Sequence, residues 1–385
     1  SSSSSSSPPP PRSRDVDKWE LSTLCRSSSA GYELFYGSIR RNIEERQRAW
    51  TLRTAPWFRP PTKQAIASIF GAPVAASIME RYASAARTTR RKTGPEHVIK
   101  FGPPGSGKTV RKGSAVTAFM KSIDLEPYEV LDVAVDDIVI SLGPYFREVM
   151  KSQKQRGISA EERSMRQYEI YRKYRGQADV IADRITEVAL GKNASVCMET
   201  TGRELFWVRN ATLEATKRGY KTRVVYPYAT LAQLVNRTME RAQSKLSSGF
   251  GRGIHPMAIS DICQRAQLNF FKLIEMQGIE GASIMDNTVG PYAKKRSLFT
   301  WQPTEENKVV CDFPDDLVDA SMHHVHSHLE DHERLSSFSK HWYDEMRTLC
   351  VNFARKHELK SHPLVRPPPL PPLQTLDDDD HHHHD

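Results

Sequence analysis

Four short stretches of this chain carry residue types at spacings suited to chemistry. The first is "GPPGSGKT", residues 102–109, which fits the pattern G-x-x-x-x-G-K-[ST]. Gly102, Gly105 and Gly107, with Ser106 between the last two, form a loop whose backbone N–H groups can approach phosphate oxygens closely. Lys108 is placed to reach the β- and γ-phosphates, and the Thr109 hydroxyl to ligate Mg²⁺. The loop therefore predicts ATP and Mg²⁺ as ligands. A strand, "HVIKF", is expected before it and a helix over 108–122 after it, with the positive helix end adding to the pull on an anion.

Such a loop holds phosphates; it does not say what becomes of them. The second stretch, "DVAVDDIV", puts Asp136 and Asp137 at the carboxyl end of another expected strand, where either could accept the proton of an attacking hydroxyl. An ordinary helix-start or turn pair is the plainer reading. The third, "CMETTGRE", brings Glu199, Thr200 and Arg203 to the same edge, although a threonine here could simply cap a helix. In the fourth, "NRTMERAQSKLSSGFGRGIHP", Arg237 and Arg241 lie one helical turn apart and Arg252 sits in a Gly-rich segment. Arginines over a phosphate loop suit the neutralisation of charge on a transferring phosphoryl group; a solvated basic helix is the alternative.

Strands alternating with helices must position these residues. The expected strands are "HVIKF", "YEVLDVAVD", "ASVCMETT", "KTRVVYPYA" and "GASIMDNT", the first four each followed by a segment of helical periodicity. This order predicts an α/β fold of P-loop NTPase type: a parallel sheet of about five strands, covered by helices on both faces, with helical extensions at the N- and C-terminal ends. Ligands bind at the carboxyl edge of such a sheet. The expected organisation is a disordered Ser/Pro-rich leader over 1–30, a helical extension over 31–93, a kinase-like core over 94–300, a mainly helical extension over 301–362 and a Pro-rich, acidic and His-containing tail over 363–385.

A net charge of +9, despite five tail aspartates, favours an anionic partner: a nucleotide, a nucleotide-sugar or nucleic acid. Five scattered cysteines without a C-x-x-C pair point to a reducing compartment such as the cytoplasm. No apolar run is long enough to span a bilayer. The start at Ser1 leaves room for a removed targeting segment. His324, His328 and His332 fall on one helical face, but a charged exposed helix explains them better than a metal site.

In order and spacing, "GPPGSGKT", "VAVDDIVISLGPYF", "SVCMETTGRE", "RTMERAQ…GRGIHP" and "IMDNT" resemble the zeta toxin family of P-loop kinases over residues 97–290. The resemblance implies transfer of the ATP γ-phosphate to a hydroxyl of UDP-N-acetylglucosamine or a similar small anionic molecule. It implies Asp136 as catalytic base, Glu199 as the residue that orients substrate, and Arg241 with Arg252 as the clamp on the moving phosphate, Lys108 and Thr109 keeping their roles. The chain departs from the family at Val139, where a basic residue is usual, which leaves Asp137 a second claimant for the base. The basic stretch 151–176 is expected to reshape the substrate side. Two further functions fit parts of the sequence. A nucleic-acid end kinase suits the charge but lacks an aromatic-interleaved basic track. A nucleotide-binding assembly factor without turnover suits the added extensions, which would take a protein partner. A remodelling ATPase is the least favoured.

Overall fold

The computed structural model describes residues 94–361 apart from 111, 156, 247–253, 255, 290–292, 304–307 and 323–331. The expected leader, N-terminal extension and tail, with Arg252, His324 and His328, lie outside the described residues.

Seven strands form one sheet in the order β2-β3-β1-β4-β5-β6-β7. They are β1 (Glu96–Phe101), β2 (Leu131–Val133), β3 (Val196–Thr200), β4 (Lys221–Tyr228), β5 (Ile279–Asp286), β6 (Ser297–Gln302) and β7 (Lys308–Cys311). The first five are mutually parallel, as the βα alternation requires. β6 then pairs antiparallel to β5, and β7 antiparallel to β6, an extension of the sheet that the βα pattern does not predict. β1 is central and all six of its residues are buried, so "EHVIKF" is covered on both faces although its pattern is not wholly apolar.

Three helices set the site. After β2, α2 (Val135–Ser141) and α3 (Gly143–Gln153) pack their apolar residues, Val135, Ile138, Val139, Leu142 and Val149, against α4 (Ala160–Gly191). Pro144 lies in the first turn of α3, where its missing N–H costs nothing. α4 runs 32 residues because Ser159 caps it, accepting from the Glu162 N–H at 3.1 Å, and no proline interrupts it. Its second half buries Ala178, Ile181 and Ile185; its first half carries Tyr171 and Arg175 toward Asp136 at the start of α2. α5 (Phe206–Lys217), α6 (Leu231–Leu246) and α7 (Pro256–Ile274) follow β3 and β4. α8 (Leu317–Met322) and α9 (His332–Ser361) complete the described chain, with Trp342 of α9 buried against Leu231, Val235 and Ile259.

The sequence reading needs two corrections near the phosphate loop. The expected helix over 108–122 begins only at Ala115, as α1 (Ala115–Ser122). Gly113 at φ 78° breaks the helical path, and Ser114 restarts it as N-cap by accepting from the Thr117 N–H at 3.1 Å. The second strand is shorter than "YEVLDVAVD" suggests, so Asp136 and Asp137 lie in the first turn of α2 rather than on a strand.

Candidate functional site

The phosphate loop leaves β1 through Gly102, whose N–H donates to the Thr200 carbonyl at 3.2 Å and so extends the β1–β3 ladder by one bond. Gly102, Gly105 and Gly107 all have positive φ. Gly107 shows why: a Cβ there would collide with Nδ2 of Asn287. That amide donates to the Ser106 carbonyl at 2.8 Å. Arg237 of α6 reaches the loop from the same side, donating to the Asn287 carbonyl at 2.8 Å and to the Gly105 carbonyl at 3.4 Å. Two sequence features, Asn287 after the last parallel strand and the first arginine of "NRTMER", thus brace the loop itself. Ser106 is buried beneath it.

Lys108 is also buried and folds back over the loop, donating from Nζ to the carbonyls of Gly102 at 2.6 Å and Pro103 at 2.8 Å. An ammonium has three donors, so two bonds aim the group and leave capacity for an anion. Burial pulls its pKa below the ordinary lysine value, against the opposing pull of Glu199 and Asp136. An under-compensated cation at a loop of this shape is suited to an anionic ligand. Thr109 is exposed beside it.

Glu199 bridges two lysines. Its Oε1 lies 3.9 Å from Lys108 and its Oε2 lies 3.8 Å from Lys100. Lys100, the penultimate residue of β1, is fully buried and pairs with Asp132 of β2. Burial works against the Lys100 ammonium, but Cys197, Asp132 and Glu199 together outweigh it, and its pKa lies above the ordinary lysine value. Neither Lys100 nor Asp132 was recognised from sequence. The only signal was a lysine within an otherwise apolar central strand.

Asp136 lies on the Lys108 side of this cluster. Tyr171 donates to its Oδ1 at 2.6 Å, and Arg175 Nη1 is 3.2 Å from the same oxygen. Arg241 Nη2 is 3.5 Å from Oδ2. Asp137, one residue on, is exposed, and its carbonyl accepts from the Ser141 hydroxyl. Val139 is fully buried in the core with Ile138 and Leu142, so the position at which the family resemblance expects a basic residue faces inward here.

Lys108, Glu199, Asp136 and Arg241 therefore share one charge network at the carboxyl edge of the sheet, extended inward by Lys100 and Asp132. Thr200 sits at the same edge, its hydroxyl accepting from the Gly202 N–H at 3.1 Å. Arg203 points elsewhere: its Nε is 3.5 Å from Asp261 of α7, and its carbonyl accepts from Asn269. Among the described residues no group of three or more His, Cys, Asp or Glu side chains could hold a metal ion. The donors beside the loop are a hydroxyl and carboxylate oxygens, which suit an ion that arrives on nucleotide phosphates and keeps part of its water. Among the described residues no helix is long and apolar enough to cross a membrane.

No family model matches the sequence, and no curated protein does. Among solved structures, one described as the PezAT chromosomal toxin–antitoxin system of Streptococcus pneumoniae aligns with a TM-score of 0.45 and 11% identity, over 74% of this chain and 96% of that one. AvrRxo1-ORF1:AvrRxo1-ORF2 with sulphate ions aligns with a TM-score of 0.43 and 12% identity, over 74% of this chain and 88% of that one. The same pair with ATP aligns at 0.41 and 13%, over 74% and 89%.

Proposed function

We propose that this chain is an ATP- and Mg²⁺-dependent phosphotransferase that moves the γ-phosphoryl group to a hydroxyl of a small anionic acceptor, with a nucleotide-sugar such as UDP-N-acetylglucosamine as the first candidate. What carries the reading is the convergence of Lys108, Glu199, Asp136 and Arg241 from four different elements on one sheet edge. A loop that only held a nucleotide would need none of the last three.

Lys108, aimed by the Gly102 and Pro103 carbonyls, meets the β- and γ-phosphates, and the loop N–H groups meet the remaining oxygens. Thr109 would hold magnesium, which when bound supplies charge neutralisation on those phosphates. Asp136 takes the proton from the acceptor hydroxyl as that oxygen bonds to the γ-phosphorus and the bond to the ADP oxygen breaks. Arg241, which is half exposed and already within 3.5 Å of Asp136, neutralises charge on the moving group, joined in this reading by Arg252. Glu199 and Thr200 orient the acceptor, with Asp137 at the margin of its site; Arg203, paired with Asp261, takes no part in it. The net positive charge suits an anionic acceptor.

One observation favours a second reading, a nucleotide-binding assembly factor without turnover. Thr109 lies six residues before α1 instead of in its first turn, so the loop does not run directly into a helix. One experiment separates the readings. The chain is incubated with ATP, magnesium and a panel of UDP-sugars, other small hydroxyl compounds and nucleic-acid ends, and products are weighed by mass spectrometry. The kinase reading expects one acceptor to gain a single phosphoryl group. ATP binding with no acceptor altered gives the assembly reading.

A further inference from the structure

Asp136 is held from a direction that none of the four chemical stretches supplies. Its own element does little to fix it: α2 has seven residues, and its N-cap Ala134 makes no side-chain cap. The fixing groups come from α4. Tyr171 and Arg175 stand one turn apart on the same helical face, hydrogen-bonded to each other, and both reach Oδ1 of Asp136, at 2.6 and 3.2 Å. Arg175 is fixed in turn from the next turn of the helix, its Nε lying 3.3 Å from Oδ1 of Asp179. Its guanidinium also lies over the Tyr171 ring, 5.9 Å from the centroid. Tyr171 and Asp179 are buried, so the ladder 171–175–179 is anchored in the core at both ends.

We propose that Tyr171 and Arg175 are positioning residues for Asp136, holding Oδ1 so that Oδ2 is turned toward Arg241 as the proton-accepting oxygen. The proposal rests on the reading of Asp136 as the base given above. A carboxylate free to rotate offers either oxygen in many orientations, and proton transfer needs one held within hydrogen-bond reach of the hydroxyl. Arg175 cannot lose its proton, so it orients Asp136 without competing for the role of base. Among the described residues, the charged and titratable groups facing Asp136 include Tyr171 and Arg175 of α4, Arg241 of α6 and Lys108 of the loop; Asp179 stands behind Arg175, and Asp137 follows in sequence. Arg175 and the Tyr171 hydroxyl both favour the ionised form of Asp136, so removing either should make it easier to protonate. The first half of α4, within the basic stretch that sequence reading assigned to the substrate side, thus acts on the base.

The test uses the full chain labelled with carboxyl-¹³C aspartate, the Asp136 resonance being identified by its loss in Asp136→Asn. Titrated by NMR, Arg175→Met should raise the Asp136 midpoint by about one pH unit or more, and Tyr171→Phe by less. Arg175→Lys should fall between Arg175→Met and wild type. Where Arg175→Met fails to fold, Tyr171→Phe and Arg175→Lys carry the measurement. Unchanged midpoints in the folded variants overturn the proposal. Transfer kinetics on the acceptor found for the wild type give the second readout. Arg175→Met should lower kcat roughly 10- to 100-fold with the KM for ATP unchanged, and Arg175→Lys should recover part of the loss. A loss confined to KM for ATP contradicts a positioning role. If the wild type transfers phosphate to nothing, the kinase reading fails, while the titration still decides whether α4 holds Asp136.

Discussion

Asp132→Asn should cost far more stability than Lys100→Met, although both break the same ion pair. The Lys100 side chain is 0% exposed, whereas Asp132 and Glu199 keep 32% and 35% of theirs in contact with solvent. Asp132→Asn removes the near partner and leaves a fully buried ammonium to Glu199 at 3.8 Å, so its cost should approach the roughly 3–5 kcal/mol of a broken buried pair. Lys100→Met lays an apolar chain of similar length in the same slot. The two carboxylates lose a partner but remain partly hydrated, which limits the cost to about 1–2 kcal/mol. The double variant should then be more stable than Asp132→Asn alone, because it removes the stranded charge. The cycle should give a coupling of about 2–3 kcal/mol, measured by urea unfolding with equal m-values. The Lys100 pKa lies above the ordinary lysine value, so the contribution of Lys100 is fully present below about pH 10.4 and is lost only as the pH rises further through the folded value. Simple additivity, or a cost for Asp132→Asn below about 1 kcal/mol, would refute the reasoning.

Three further outcomes follow from the geometry. ATP binds the ammonium form of Lys108, whose pKa is depressed by burial, so affinity should begin to fall at a pH below the ordinary lysine value of about 10.4; in Lys108→Arg that fall should vanish, as calorimetry across alkaline pH would show. His97 is buried, its Nδ1 3.3 Å from the Thr222 hydroxyl, and burial lowers its pKa from 6.5 to about 4. The unfolded chain then takes up a proton first, so about 3 kcal/mol of stability present above pH 6.5 is lost as the pH falls through about 4, and His97→Asn should flatten that part of the acid unfolding curve. Gly107→Ala forces a Cβ onto Asn287 at a φ of +89°, a strain of about 1–3 kcal/mol in the folded chain that should lower the melting temperature by several degrees and, by displacing the loop, lower ATP affinity by tenfold or more.

The phosphate loop was legible because its pattern constrains backbone, charge and flanking elements together. Glu199 was legible too, since a parallel strand delivers its carboxyl end to a known edge. Lys100 was not. Even in a sheet expected to be covered on both faces, nothing local marks the lysine of "HVIKF" as buried against Asp132, a partner 32 residues away on β2. The hold on Asp136 was equally hidden, because Tyr171 and Arg175 lie 35 and 39 residues away and no local periodicity records such a contact. The late start of α1 had a local signal in Gly113 and Ser114, which the strength of the loop motif overrode. β6 and β7 continue the sheet from a stretch that reads as irregular, since "SLFTWQ" and "KVVC" are short and each pairs antiparallel with the strand before it, outside the βα pattern.

The central claim is that Asp136 takes a proton from an acceptor during phosphoryl transfer. It is tested most directly by mass-resolved transfer from ATP in the wild type, Asp136→Asn and Asp137→Asn. Asp136→Asn should bind ATP with wild-type affinity and slow transfer by roughly 10²- to 10⁴-fold, while Asp137→Asn stays within a few-fold of wild type. Full transfer by Asp136→Asn together with its loss in Asp137→Asn would contradict the account.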